Sequence, residues 1–282
     1  MDAAPQPPGA AAAADRPRSL KAAVGFGIVL AVVVIASLLI SPLTFFLFAA
    51  VVLLVAQAEL YAVLKASGYA PAAMLGLVCG AVLLASTYVW GPLALALSLT
   101  LPVPLLLVWA VTVPVERVRS TIASTYLGVV YGPFLAGFAV LLLREEHGRA
   151  LIVAFVGMTA VLDSGAYLVG RKLGRHRMAP RTSPKKSWEG FLGGSLITVG
   201  LSALVLPLFE PFDVSLAVRL AIVMSLVSPM GDLAESLVKR DLGVKDMGTL
   251  LPGHGGAFDR VDSIVYSAPV AYFVLVTLGW AQ

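Results

Sequence analysis

Residues 43–64 read LTFFLFAAVVLLVAQAELYAVL, a run in which Thr44, Gln57 and Glu59 are the clearly polar members. Apolar and polar positions do not alternate along it, as they would in a membrane barrel strand. At 1.5 Å rise per residue, a helix of this length reaches across a hydrocarbon core of about 30 Å. Inside lipid no water can satisfy an exposed N–H or C=O, so a helix that closes its own hydrogen bonds is the structure this stretch dictates.

Further apolar runs of similar length lie at about 22–40, 71–89, 93–113, 122–143, 150–170, 191–209, 216–238 and 264–281, which brings the expected number of spans to nine. Composition agrees: 59% of the chain is hydrophobic and 13% charged, against about 25% charged in soluble domains. The fold class expected is all-α, a polytopic transmembrane helical bundle of about nine spans with cytoplasmic catalytic loops. Residues 1–20, rich in Ala and Pro, read as a disordered cytoplasmic tail. Arg16, Arg18 and Lys21 lead directly into a full-length span, unlike the short apolar region and cleavage site of a signal peptide. The organisation expected is that tail, N-terminal transmembrane helices over 21–149 and a C-terminal transmembrane catalytic region over 150–282.

With the N-terminus inside, seventeen of the twenty Lys and Arg residues fall on the inner side, and only Arg144, Arg149 and Arg219 fall outside. That is the asymmetry of the positive-inside rule. The basic pI of about 9.3 therefore reflects membrane topology, and nucleic acid is not an expected partner. A single cysteine, Cys79, excludes a disulfide framework and a cysteine-rich metal site. No repeat of fixed period and no recurring broken-helix pattern suggests an inverted-repeat transporter.

The densest polar segment is Ser228 to Ser263, SPMGDLAESLVKRDLGVKDMGTLLPGHGGAFDRVDS. If the eighth span stays helical, Asp232, Glu235, Ser236 and Lys239 share one face, and Asp259 and Asp262 share a face at the start of the ninth. Mg²⁺ takes one or two carboxylates and fills its remaining positions with water and substrate phosphate. Asp232 and Asp259 are the first candidate ligands, and Asp262 or Asp246 could hold a second cation in a two-ion arrangement. Lys239, Lys245 and Arg260 stand beside them as candidate catalytic cations, and His254 lies in a His-Gly-Gly turn suited to phosphate.

A second block, Arg171 to Gly190, is basic. Arg175, Arg177 and Arg181 are read as orienting charges, whereas Lys185 and Lys186, set among Ser183, Ser187 and Gly190 just before a helix begins, suit a phosphate group. Asp163, two turns inside the sixth span, is a candidate nucleotide or metal contact, because an intramembrane carboxylate is expensive unless paired or functional. Glu59 is expected to snorkel towards Lys65 or to pair with a basic group of another helix. His147 and His176 read as ordinary loop residues.

Ser236-Leu-Val-Lys-Arg, then Lys245-Asp-Met-Gly and Leu251-Pro-Gly-His-Gly-Gly-Ala-Phe-Asp-Arg-Val-Asp262 together resemble the signature of the phosphatidate cytidylyltransferase family. Asp163-Ser-Gly-Ala-Tyr167 and Ser183-Pro-Lys-Lys-Ser-Trp-Glu-Gly190 are similar to two further elements of that family, with Ser187 in place of the commoner Thr and Ala257 in place of a larger apolar residue. The resemblance covers 150–282; the first five spans match by hydropathy alone. It implies CTP and phosphatidate as substrates, Mg²⁺ with or without a second cation, a homodimer in the plasma membrane, and an active site on the cytoplasmic side. It places Ser183, Lys185, Lys186, Ser187, Ser236, Arg240 and Asp163 among the substrate contacts. The phosphatidate phosphate is already an anion near neutral pH, so the lack of a Ser/His/Asp arrangement agrees with electrostatic catalysis. The rival readings are a CTP-dependent lipid-alcohol kinase, which would release a nucleoside diphosphate, and a transporter using Glu59, Asp163 and Asp232 as intramembrane contacts.

Overall fold

A computed structural model of the chain describes residues 20–248 and 255–278. The expected tail lies outside the described residues apart from Leu20, which opens the first helix. The helices are α1 (Leu20–Ile40), α2 (Pro42–Ala66), α3 (Ala73–Trp90), α4 (Pro92–Thr100), α5 (Pro102–Ala110), α6 (Val115–Val129), α7 (Leu135–Arg144), α8 (Gly148–Leu173), α9 (Trp188–Val205), α10 (Val214–Asp241) and α11 (Phe258–Tyr272).

Local chemistry sets several of these boundaries. Pro42, Pro92 and Pro102 open α2, α4 and α5, where a missing N–H is harmless. Ser41 caps α2, its hydroxyl accepting from the Thr44 N–H at 3.0 Å. The span expected at 93–113 is broken into α4 and α5, because Pro102 has no N–H to continue the ladder. Pro133 has a different outcome: a π turn over Val130–Phe134 carries the helix past it, so α6 and α7 form one long rod. That rod starts at Val115, earlier than the expected 122, and Glu116, Arg117 and Arg119 lie on its first turns rather than in a loop.

Seven helical rods are long and apolar enough to cross a membrane: Pro42–Ala66, Ala73–Trp90, Pro92–Ala110, Val115–Arg144, Gly148–Leu173, Trp188–Leu208 and Val214–Asp241. The expected nine are not reached among the described residues. Among the described residues of α1, Ala31–Ile40 forms a shorter apolar helix, and α11 carries Asp259, Arg260 and Asp262 in its first turns. The outer faces carry large apolar side chains such as Val111, Leu196 and Leu204 with 85%, 74% and 75% of their surface open, a pattern suited to lipid and unfavourable in water.

The connection between α8 and α9 departs from an all-helical chain. It forms a two-stranded antiparallel hairpin, β1 (Arg177–Ala179) against β2 (Ser183–Ser187), with Arg177 opposite Ser187 and Ala179 opposite Ser183. Its base is tied to α9 by Glu189, whose carboxylate accepts from the Arg175 N–H at 3.0 Å and contacts His176 Nδ1 at 2.5 Å. His176, expected to be an ordinary loop residue, is thus part of the fold.

The rods alternate in direction, and contacts between connections fix which ends coincide. The Ser67 hydroxyl after α2 donates to the Leu242 carbonyl after α10 at 3.1 Å, and the Ala70 N–H donates to Ser120 Oγ of α6 at 3.2 Å. At the opposite end the Arg144 guanidinium donates to the Tyr88 carbonyl near the last turn of α3. The connections after α2, α5 and α10 therefore share one face of the molecule, and the one after α8 reaches the same end of α10 through Lys186 and Asp232.

Two packing devices hold that face together. Tyr61 fills the space left by Gly76 of α3 and Gly128 of α6, donates to the Thr125 carbonyl at 2.7 Å and accepts from Gln57 Nε2 at 3.0 Å. Helices α8 and α9 meet through glycines: a Cβ on Gly194 would lie 2.7 Å from the Ala166 nitrogen, and one on Gly190 would lie 3.0 Å from the Gly170 Cα. Such close approach is the membrane substitute for a hydrophobic driving force between helices.

Candidate active site

The tight α8 to α9 contact delivers the hairpin to the C-terminal half of α10. There Lys186 Nζ lies 2.7 Å from Asp232 Oδ2 and 3.5 Å from the Pro229 carbonyl. Both members of this pair are about a quarter open, with 26% and 27% of their side chains exposed. Asp163, exposed on α8, interacts electrostatically with both Asp232 and Lys186. The hairpin thus contributes Lys186 to the cluster, whereas Lys185 is exposed on β2 and Ser183 is half-buried at its start. Ser187 is buried; its hydroxyl oxygen accepts from the Gly190 N–H at 3.2 Å and caps α9.

The second half of the cluster forms where α10 and α11 cross. Gly231 permits this contact, since a Cβ there would lie 3.0 Å from the Ser263 Cα. Lys239 Nζ bridges Glu235 Oε2 and Asp259 Oδ1, each at 2.5 Å, with 13%, 3% and 7% of the three side chains exposed. The face expected on α10 is thereby realised as a charge relay across helices, one turn long on α10 and closed by α11. The carboxylate of Asp259 also accepts from the Gly256 N–H at 2.6 Å and the Met247 N–H at 3.0 Å. Burial pulls the Asp259 carboxyl up, but the Lys239 ammonium and the Gly256 N–H outweigh it and hold it below the usual carboxylate range.

Asp262, one turn along α11 and buried, interacts with Asp232 and Glu235 and so joins the two halves. Asp246 is half-buried and faces Asp259 across Gly255, whose φ of +81° only glycine adopts readily. Ser236 is half-buried on α10, while Arg240, Lys245 and Arg260 are exposed around the rim. His254 lies outside the described residues.

Two further residues, Glu59 and Tyr131, shape the site from the N-terminal half of the chain. Glu59 does not snorkel and meets no basic partner among the described residues; its Oε2 accepts from the Phe258 N–H at 3.1 Å, at the first turn of α11. Tyr131, from the π turn, packs edge-on against Phe258 with ring centroids 5.1 Å apart. A lone carboxylate in a long apolar span was the available signal for Glu59; an aromatic among apolar residues gave none for Tyr131.

The donor chemistry suits a hard divalent cation. Asp232 and Asp262 offer carboxylate oxygens, and Glu235 Oε1 is buried without a hydrogen-bond partner among the described residues. No group of three or more His, Cys, Asp or Glu side chains is arranged to hold a metal by itself among those residues. A Mg²⁺ ion takes one or two carboxylates and fills its remaining positions with water and substrate phosphate, so the chemistry of Asp232 and Asp262 fits such an ion without a complete protein cage.

Comparison with known proteins gives this cluster a context. A model of the cytidylyltransferase family matches residues 21–278. The chain is similar to the phosphatidate cytidylyltransferase of Mycobacterium bovis, at 32% identity over 93% of this chain and 90% of that protein. It is 31% identical to the protein of the same name from Mycobacterium leprae over 93% of this chain and 89% of that protein. Against the phosphatidate cytidylyltransferase of Brucella suis, identity rises to 46% over 50% of this chain and 54% of that protein. With the match running from the first span through α11 and the charge cluster, the chain belongs to the cytidylyltransferase family and is a nucleotidyltransferase enzyme.

Proposed function

We propose that this protein is a phosphatidate cytidylyltransferase: it joins CTP to phosphatidate, giving CDP-diacylglycerol and pyrophosphate. The observation that carries this reading is the convergence of Lys186 with Asp232, and of Lys239 with Glu235 and Asp259, at one end of apolar rods. Two phosphate esters that repel each other need such a mixed-charge surface beside lipid.

In the reaction a phosphatidate oxygen attacks the α-phosphorus of CTP while the bond to the pyrophosphate oxygen breaks. The attacking oxygen is already anionic, so no side chain needs to remove a proton from it. Asp232 and Asp262 would hold Mg²⁺, whose role when bound is to neutralise phosphate charge. Asp259 and Asp246 are the remaining carboxylates for a second cation, although Asp259 is engaged by Lys239 and two N–H groups. Lys239 and Lys186 supply positive charge towards the transferring phosphoryl group, with Lys245, Arg260 and Arg240 at the rim drawing the triphosphate in. Ser236, Ser183 and the α9 N-terminus capped by Ser187 offer neutral donors for phosphate oxygens.

The one-sided distribution of basic residues supports a plasma-membrane protein with this cluster facing the cytoplasm, and the reading includes a homodimer. The test is incubation of detergent-purified protein with α-labelled CTP, phosphatidate and Mg²⁺, followed by lipid extraction. Label in the lipid together with released pyrophosphate is expected. Unlabelled lipid with release of CDP would replace this reading with a lipid kinase.

A further inference from the structure

The residues that resemble the family signature all lie in the C-terminal half, yet the strand of chain that carries them is fastened to the N-terminal half. Glu59, from the C-terminal third of the mostly apolar α2, places its carboxylate beneath the first turn of α11 and accepts from the Phe258 N–H at 3.1 Å. The chain wraps that carboxylate closely: a Cβ added to Gly248 would lie 2.2 Å from Glu59 Oε1, and one added to Gly256 would lie 2.4 Å from Oε2. Met247 and Phe258, which flank this contact, are each 1% exposed and pack in one apolar cluster with Leu60 and Tyr61 of α2.

An anion at a helix N-terminus satisfies orphan N–H groups and complements the positive end of the helix dipole. Phe258 directly precedes Asp259, and Met247 donates its N–H to that same residue. The orientation of Asp259, and through it of Lys239, therefore depends on where Glu59 holds the backbone.

We propose that Glu59 is a positioning residue for the transfer reaction, an anionic staple from α2 that sets the first turn of α11 and with it the Asp259 and Lys239 pair. It touches neither Asp259 nor Lys239 in any hydrogen bond of the described structure, so it acts through the Phe258 backbone. The kinetic side of this inference rests on the cytidylyltransferase reading above; the structural side does not.

The experiment compares Glu59→Ala and Glu59→Gln with the parent, each as full-length protein in detergent. Amide hydrogen exchange is followed at Gly256 to Arg260 and across α3 and α8, alongside kcat and KM for CTP. A misplacement of order 1 Å at a reacting centre can lower turnover by about 100-fold. The expected result for Glu59→Ala is faster exchange confined to the first turn of α11, with a kcat loss of about 10-fold to 100-fold and little change in KM. Glu59→Gln, which keeps an acceptor oxygen, should lie between Ala and parent on both readouts. Exchange that rises equally in α3 and α8 would overturn the proposal, as would parental exchange at Phe258 in either variant. Should the Ala variant fail to insert, the same two readouts on the Gln variant decide. If the parent shows no cytidylyl transfer, the exchange comparison still judges the staple, so the two readings fail separately.

Discussion

Asp232 and Asp259 carry the same group in one cluster, but the structure gives them different burdens. Asp259 is 7% exposed and holds Lys239 and two backbone N–H groups, whereas Asp232 holds one ammonium in a pair about a quarter open. Replacing Asp259 removes one of the two carboxylates around the buried Lys239 and the acceptor of two N–H groups, at a cost of about 1 to 3 kcal/mol, while a pair as open as Lys186 and Asp232 contributes about 1 kcal/mol or less. Both Asp232→Asn and Asp259→Asn are expected to lose more than about 100-fold in turnover, but only Asp259→Asn should clearly lower the thermal midpoint. Parallel melting curves and rate assays check this, and equal melting would contradict the burial argument. The pH dependence follows by sign. Asp259 titrates below its ordinary value of 3.8 when folded, so its stabilisation is complete above that value and is lost only as pH falls through the lower folded one. The part of the stability that Asp259 itself contributes should therefore begin to fall only as the pH drops below 3.8, read as a narrowing gap between the melting curves of parent and Asp259→Asn.

At the scale of elements, glycine contacts decide whether Lys186 reaches Asp232. The hairpin grows from the ends of α8 and α9, and those helices approach as closely as they do because Gly190 and Gly194 carry no side chain. Gly194→Val would put its Cβ 2.7 Å from the Ala166 nitrogen, pushing the helices apart and withdrawing the hairpin. Loss of most activity and a lower thermal midpoint are expected. Gly200→Ala on the same helix meets nothing within 4 Å and should keep parental activity and gain slightly in stability through helix propensity. Equal behaviour of the two variants would remove the packing argument. These elements also mark how far the sequence could be read. Hydropathy located the rods because lipid leaves a long apolar run little choice, and the i, i+3, i+4 spacing put Glu235 and Lys239 on one face as found. The hairpin was hidden in a charged stretch with no period-2 pattern, and the cross-helix pairs of Lys186 and Glu59 depend on tertiary packing that one chain position does not encode. The fates of Pro102 and Pro133 differ for the same reason: one breaks its helix, while the other is carried past by a π turn in a rod packed against several neighbours.

For the whole molecule, the governing quantity is which connections share a face. Ser67 bonded to Leu242, and Lys186 bonded to Asp232, bring connections from both halves of the chain to one end, while Arg144 and Tyr88 meet at the other. This parity is independent of whether seven or nine rods cross, because each contact reports directly on coincident ends. It also accounts for the charge asymmetry: the face that gathers the acidic cluster gathers the basic rim with it, which is the face the positive-inside rule would keep inside under the proposed orientation. Cys79 is 2% exposed and buried in the apolar core, so a background with Cys79→Ala accepts reporter cysteines cleanly. Arg177→Cys, Lys245→Cys and Glu146→Cys each replace an exposed side chain, the first two on the cluster face and the third at the opposite end. A membrane-impermeant thiol reagent applied to intact cells should modify Glu146→Cys alone, and the other two only after the membrane is opened. Modification of Arg177→Cys and Lys245→Cys from opposite sides would break the shared face itself, and with it every argument that lets α8, α10 and α11 act on one pair of phosphate esters.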